Sequence, residues 1–270
     1  MTRAGPIPAM GFGTYRRTGD AGLSAILIAL ETGYRHLDTA QSYNSERECG
    51  EALRRSGLRR DAVFVTTKID MSNFGSGKLI PSLSRSLDAL ELAAVDLTLI
   101  HWPVPETEVP MAVYLEQLAE AQALGLTRTI GVSNFTRALL DKAVGILGPG
   151  RIANNQVEVH PYLQNRALVE HCERLGISVT CYLPIARGKL GDDPVLQAVA
   201  ARHDATVEQV ALAFNLQRGL IVIPTSGNAE RIAINFAAQD IRLSETDMAA
   251  IAGIDRGYRM VNPATAPAWD

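Results

Sequence analysis

"YRHLDTAQSYNSERECGEALRRSGLRRDAVFVTTKI" runs from Tyr34 to Ile69 and contains one full period of the pattern on which the chain is built. Tyr34 to Ala40 reads as a short strand. Ser45 to Gly57 reads as a helix, with a Ser cap, Glu48 three residues on as in a capping box, and a Gly stop. Val63 to Ile69 alternates and then turns apolar, as a strand about to be buried does. A strand, a helix and a second strand at this spacing make a parallel pair with a crossover helix.

The same period continues on both sides. Upstream, Ala21 to Gly33 has helical periodicity. Downstream, Ile80 to Leu92 reads as a helix with Pro81 in its first turn, and Val95 to Trp102 as a strand. A helix over about 111–124 precedes a strand from Thr127 to Asn134. A helix over about 137–147 precedes a strand from Asn154 to His160. Helix 165–175 then leads to strand 178–185, and helical segments over 195–217 to strand 220–226. Helices near 229–235 and over 244–254 close the pattern.

About seven or eight βα units fit two architectures, a doubly wound open sheet and a closed (β/α)8 barrel. An open dinucleotide fold carries G-x-G-x-x-G between its first strand and helix. "GFGTY" (Gly11 to Tyr15) lacks the third glycine and has no strand-helix context around it. With no linker or low-complexity break, the expectation is a single (β/α)8 barrel domain over residues 1–270.

Hydrophobic residues make up 47% of the chain, enough for a full core, and the net charge is -3. No basic cluster with interleaved aromatics speaks for nucleic acid. The longest apolar run, around Ala25 to Leu30, is far short of the ~18 residues that span a bilayer. The start of the chain has no apolar run of leader length. Cys49, Cys172 and Cys181 are far apart, with no C-x-x-C. A cytoplasmic monomer with reduced cysteines and no metal is expected.

Chemistry in a barrel collects at the C-terminal ends of its strands. Those ends offer Asp38 and then Tyr43, next Lys68, next His101. An ammonium near a phenol favours its anion and so lowers its pKa. Asp38 can pair Lys68, and His101 can hold a reacting oxygen. Together they would form a proton donor for a carbonyl that receives hydride. Singly, each has a plainer role: a structural ion pair, a rim tyrosine, a hydrogen-bonded core histidine. Spacing alone leaves both open. A desolvated Lys68 could also be a Schiff-base nucleophile of an aldolase, although a paired Asp38 would keep it protonated. A barrel that only binds a cofactor is a third reading. A metal hydrolase built on His36, His101 and His160 lacks an H-x-H pair or carboxylate cluster, and His160 reads as a rim residue.

The motifs "GYRHLDTAQSYNSERECGEAL", "VTTKI", "DLTLIHWP", "TIGVSNF", "NNQVEVHPYLQ" and "VIPTSGNAERIAINF" resemble the aldo-keto reductases over nearly the whole chain. The resemblance implies a (β/α)8 barrel that binds NADPH without a Rossmann fold. It implies a catalytic set of Asp38, Tyr43, Lys68 and His101, with Tyr43 as general acid. Ser133, Asn134 and Gln156 match the family's carboxamide contacts, and Tyr182 the aromatic on which the nicotinamide stacks. Ser226, Arg231 and Asn235 match its adenosine end. Thr225 stands where the family often has lysine, and Ile234 where it often has an acid, so NADH use is left open. Tyr15 and Trp102 match its substrate wall. The short tail over 255–270 suggests an open pocket for small polar carbonyl compounds, such as methylglyoxal and keto sugars.

Overall fold

The computed structural model describes residues 7–270; the first part of the stretch read for a leader lies outside them. The order is β1 (Phe12–Gly13), α1 (Gly19–Thr32), β2 (His36–Asp38), α2 (Glu46–Ser56), β3 (Phe64–Ile69), α3 (Leu79–Leu90) and β4 (Val95–Ile100). It continues with α4 (Met111–Ala123), β5 (Thr127–Ser133), α5 (Arg137–Leu147), β6 (Ile152–Glu158), α6 (Arg166–Arg174) and β7 (Ser178–Tyr182). It ends with α7 (Pro194–Arg202), α8 (Val207–Gln217), β8 (Ile221–Val222), α9 (Ala229–Ala237) and α10 (Glu245–Ala252). Strands and helices alternate from β1 to β7, and two helices lie on each side of β8.

Each strand pairs in parallel with the next, from β1 to β8. Val222 N donates to Ala9 O at 2.8 Å, Gly11 N to Val222 O at 2.8 Å and Gly13 N to Pro224 O at 3.0 Å. These bonds join the two end strands and close the barrel. Every residue of β3 and β4 is buried, because helices cover one face of the sheet and the barrel lumen the other.

Alternation sends Phe64, Thr66 and Lys68 to the same face of β3. Phe64 packs edge-on to His36 (5.2 Å between centroids) and clusters with Leu97 and Leu99. The larger cluster lies between sheet and helices, with Val65, Ile69, Leu83, Leu87 and Val132 among its members. Gly131 is needed on β5: a Cβ there would lie 2.6 Å from Asn154 O and 2.7 Å from Leu99 Cδ2. The β5–β6 register shifts at the same point, as it commonly does where a strand carries glycine.

Two expectations need correction. "GFGTY" does have a strand-helix context, since β1 lies within it and α1 follows; two residues are too few to show a period. The helical segments over 195–217 form α7 and α8 as read, divided at Asp204, which has φ +47°. The capping box at Ser45 does not form. Its hydroxyl bonds Thr14 Oγ1 (2.9 Å) and Thr39 Oγ1 (3.1 Å) instead, and Glu48 accepts from Gly19 N at 2.6 Å. Both groups tie the loops after β1 and β2 together. No described helix is long and apolar enough to cross a membrane.

Candidate active site

Strand β2 ends at Asp38, and the one-turn helix Gln41–Tyr43 brings Tyr43 back over the mouth of the barrel. The Tyr43 ring meets Tyr15 edge-on at 5.2 Å and His101 at 5.5 Å. Lys68 Nζ lies 4.8 Å from its centroid. The four strand-end residues therefore come together in one place.

Lys68 and Asp38 are both fully buried and joined as an ion pair. Lys68 Nζ also donates to Thr39 O at 2.8 Å. Gln156 Nε2 donates to the second Asp38 oxygen at 2.7 Å. Burial pulls the Lys68 ammonium towards neutrality, but the Asp38 carboxylate and the Tyr43 phenol outweigh it. The group ends above the ordinary lysine value and stays charged.

Burial raises the Tyr43 hydroxyl, and the Lys68 charge lowers it only in part, so the net direction is upward. The expectation of a net lowering by the lysine is corrected here: loss of water around the phenol outweighs the nearby charge. His101 is pushed down to about 3 by burial and then by Lys68, so its ring is neutral. Ser42 Oγ lies 3.4 Å from His101 Nδ1.

A second set of polar groups extends from this cluster. Ser133 Oγ donates to Gln156 O at 2.8 Å, and Asn134 Nδ2 to His101 O at 3.0 Å and Ser133 Oγ at 3.1 Å. Tyr182 donates to Asn134 Oδ1 at 2.7 Å. Asn134 sits at φ +64°, a left-handed conformation that asparagine tolerates better than most residues. Tyr182, Asn134, Ser133 and Gln156 thus form one connected chain that ends on Asp38. The role of Gln156 as a brace for Asp38 has no signature in the sequence.

These residues open on a cavity of about 510 Å³, whose lining includes Tyr15, Trp102 and Thr225. Thr225 Oγ1 is buried with no hydrogen-bond partner, so a polar ligand atom would fit there. Ser226, Arg231 and Asn235 do not line the cavity. They lie beyond it: Ser226 precedes α9, Arg231 is in its first turn and Asn235 in its second half, and Asn228 caps the helix by accepting from Arg231 N at 2.9 Å. Ser226 Oγ accepts from Asn228 N at 3.1 Å and Arg231 Nε at 3.4 Å, and Asn235 is buried within the helix.

The short tail forms part of the pocket wall. Met260, Val261, Asn262 and Pro263 line the cavity. Buried Glu158, at the end of β6, accepts from Met260 N (2.7 Å) and Val261 N (2.8 Å). Trp269 meets Trp102 edge-on at 6.2 Å, under the Arg259 guanidinium at 3.6 Å. His160 is not a rim residue: it is fully buried, with Nε2 at 3.0 Å from Glu158. His36 is buried against Thr66, and no metal-holding cluster of His, Cys, Asp and Glu occurs among the described residues.

Comparison with known proteins agrees with this arrangement. The profile of the Aldo/keto reductase family matches residues 9–256. The chain is 45% identical to methylglyoxal reductase DkgB of Yersinia pestis, over 98% of this chain and 99% of the relative. It is 46% identical to methylglyoxal reductase DkgB of Salmonella typhi, with the same coverage. A crystal structure provisionally named a 2,5-diketo-D-gluconic acid reductase B superposes with TM-score 0.94 at 41% identity, covering 98% of this chain and 94% of that one. The aldose reductase of Schistosoma japonicum superposes with TM-score 0.91 at 32% identity, covering 97% and 95%.

Proposed function

We propose that this chain, which belongs to the aldo/keto reductase family, reduces small 2-oxoaldehydes and keto sugars with NADPH and uses Tyr43 as the proton donor. The family makes it an oxidoreductase that acts on carbonyl compounds with a nicotinamide cofactor. The observation that carries the finer reading is that Tyr43, on the cavity wall, contacts both a charged Lys68 buried behind it and a neutral His101 that also lines the cavity.

A bound reduced nicotinamide supplies the hydride. This chain's residues orient the carbonyl and move a proton. The Tyr43 hydroxyl, protonated at neutral pH, donates to the carbonyl oxygen. The Ser42 hydroxyl can donate to His101 Nδ1, which leaves the proton on Nε2 to hold the same oxygen. As the proton leaves Tyr43, the phenolate forms beside the Lys68 ammonium, whose charge stabilises it. Asp38 keeps Lys68 charged and in place, and Gln156 steadies Asp38.

Ser133, Asn134 and Gln156 offer hydroxyl and amide groups that complement both ends of a carboxamide. The Tyr182 ring offers a stacking face, while Ser226, Arg231 and Asn235 serve the adenosine end. Tyr15 and Trp102 give the substrate aromatic walls. The cavity of about 510 Å³ is shared by the nicotinamide and the substrate, with the tail along one wall, which favours small carbonyl compounds over bulky ones. The relatives' name, methylglyoxal reductase, points the same way. The aldolase reading is disfavoured, because a Schiff-base nucleophile must be a neutral amine and Lys68 is held charged.

A rate-pH profile of NADPH oxidation with methylglyoxal tests the assignment. The acid must be protonated, and burial has raised Tyr43, so kcat/KM should stay flat between about pH 5 and about pH 9 and fall only above about pH 10. His101, already neutral, should add no limb in the neutral range. A loss of activity centred near the ordinary imidazole value of ~6.5 would point to a histidine acid and overturn the assignment.

A further inference from the structure

We propose that Arg17, in the loop between β1 and α1, grips the adenosine 2′-phosphate of NADPH together with Arg231, an inference that rests on the NADPH reading above. Thr225 leaves the strand-end position before Ser226 without a charge. Arg17 brings one in from another part of the chain. Its guanidinium lies against Gly227, so close that a Cβ built there would be 2.3 Å from Nη1. Arg231 holds the neighbouring residue, with Nε 3.4 Å from Ser226 Oγ. The two planar donor forks therefore flank Ser226 and Gly227 at the N-terminus of α9.

Among the described residues the Arg17 side chain is left unsatisfied. Arg17 Nε is buried with no hydrogen-bond partner. Neither Arg17 nor Arg231 belongs to an ion pair among the described residues. A guanidinium N–H shut away from water without an acceptor is unfavourable, and an oxyanion is its natural partner. A phosphate has enough oxygens for both forks, and the amide dipoles of α9 add to the attraction. The segment also leads from the right place, since Thr225 lines the cavity and Ser226 and Gly227 follow it. A cofactor with its nicotinamide at Tyr182 would lay its far end here.

Gly227 is part of the device. Its backbone is not in the left-handed region, so alanine is conformationally allowed, yet the added methyl would occupy the place of the guanidinium. Gly227→Ala should displace Arg17 while leaving the charge in the chain.

The test is titration calorimetry of the full chain with NADP⁺, NAD⁺, 2′,5′-ADP and 5′-AMP, for the native protein, Arg17→Met, Arg17→Lys and Gly227→Ala. The native protein should bind NADP⁺ more tightly than NAD⁺. Arg17→Met should weaken NADP⁺ and 2′,5′-ADP by about tenfold or more while NAD⁺ and 5′-AMP stay within about twofold. Arg17→Lys should recover part of that loss, and Gly227→Ala should reproduce most of it. Equal weakening of NADP⁺ and NAD⁺ would assign Arg17 to the pyrophosphate or to the fold and overturn the proposal. An unchanged preference in both Arg17→Met and Gly227→Ala would overturn it too, with the NADPH reading still standing. A native protein that binds both cofactors equally would remove the NADPH reading itself.

Discussion

Replacing Tyr43 by phenylalanine is expected to lower kcat for carbonyl reduction by about 10²–10⁴-fold and to leave cofactor affinity unchanged. The variant loses one oxygen. The ring keeps its contacts with Tyr15, His101 and Lys68, and Lys68 keeps Asp38 and Thr39 O. What disappears is the only group at the reacting oxygen that is both protonated at neutral pH and able to lose its proton to a stabilised anion. His101 cannot replace it. With a pKa of about 3, its ring is neutral at neutral pH, and a neutral imidazole is a far weaker acid than a phenol beside an ammonium. Single-turnover oxidation of bound NADPH checks this free of product release. A rate within about threefold of native would mean that the proton comes from elsewhere, since general-acid catalysis contributes far more than that.

The second large effect separates catalysis from folding. Asp38→Asn removes the counter-ion of an ammonium with no access to water. Leaving one partner of a buried pair uncompensated costs about 3–5 kcal/mol, so the urea midpoint should fall sharply. Turnover should fall with it, because Lys68 is then free to lose its proton. Asp38→Leu combined with Lys68→Met removes both charges. Apolar replacements of a buried ion pair are often neutral to within ~1 kcal/mol, so the double variant should regain stability. It should not regain turnover, because no positive charge remains beside Tyr43. An Asp38→Asn protein as stable and as active as the native one would mean that the pair matters to neither. A double variant with native turnover would remove Lys68 from the mechanism.

The barrel was legible in the sequence because its strands are long where they matter. Phe64–Ile69 and Val95–Ile100 are buried on both faces and bounded by helices with clear stops, so their ends could be located. Those ends carry Lys68 and His101, residue types that are rarely buried without a task. Strands β1 and β8 were harder. Each has two residues, and β8 owes its place to bonds with residues 9–11 that no local pattern reports.

The parts of the site that could not be read depend on depth or on distant partners. Tyr43 rises instead of falling because burial outweighs a charge, and burial is not encoded in spacing. Gln156 reaches Asp38 across the barrel, from four strands away. Ser45 looks like an ordinary cap and instead bonds Thr39 of its own loop and Thr14 of the loop after β1. Glu158 and His160 carry one visible signal, an acid and an imidazole that flank Val159 at the end of a strand. That they are buried, and that Glu158 holds the tail at Met260, appears only in the folded chain. Arg17 and Gly227 are more than two hundred positions apart, and the loop after β1 alone brings them together.

The central claim is that hydride passes from a nicotinamide to a small 2-oxoaldehyde in this cavity, and one isotope measurement tests it directly. The full chain would be incubated with NADPH carrying deuterium in place of both hydrogens at nicotinamide C4 and with methylglyoxal, and the product analysed by mass spectrometry. The expected product is the hydroxy compound with one deuterium on the former carbonyl carbon, formed by the native protein and scarcely at all by Tyr43→Phe. An unlabelled product, or no product from a protein that demonstrably binds the cofactor, would contradict it.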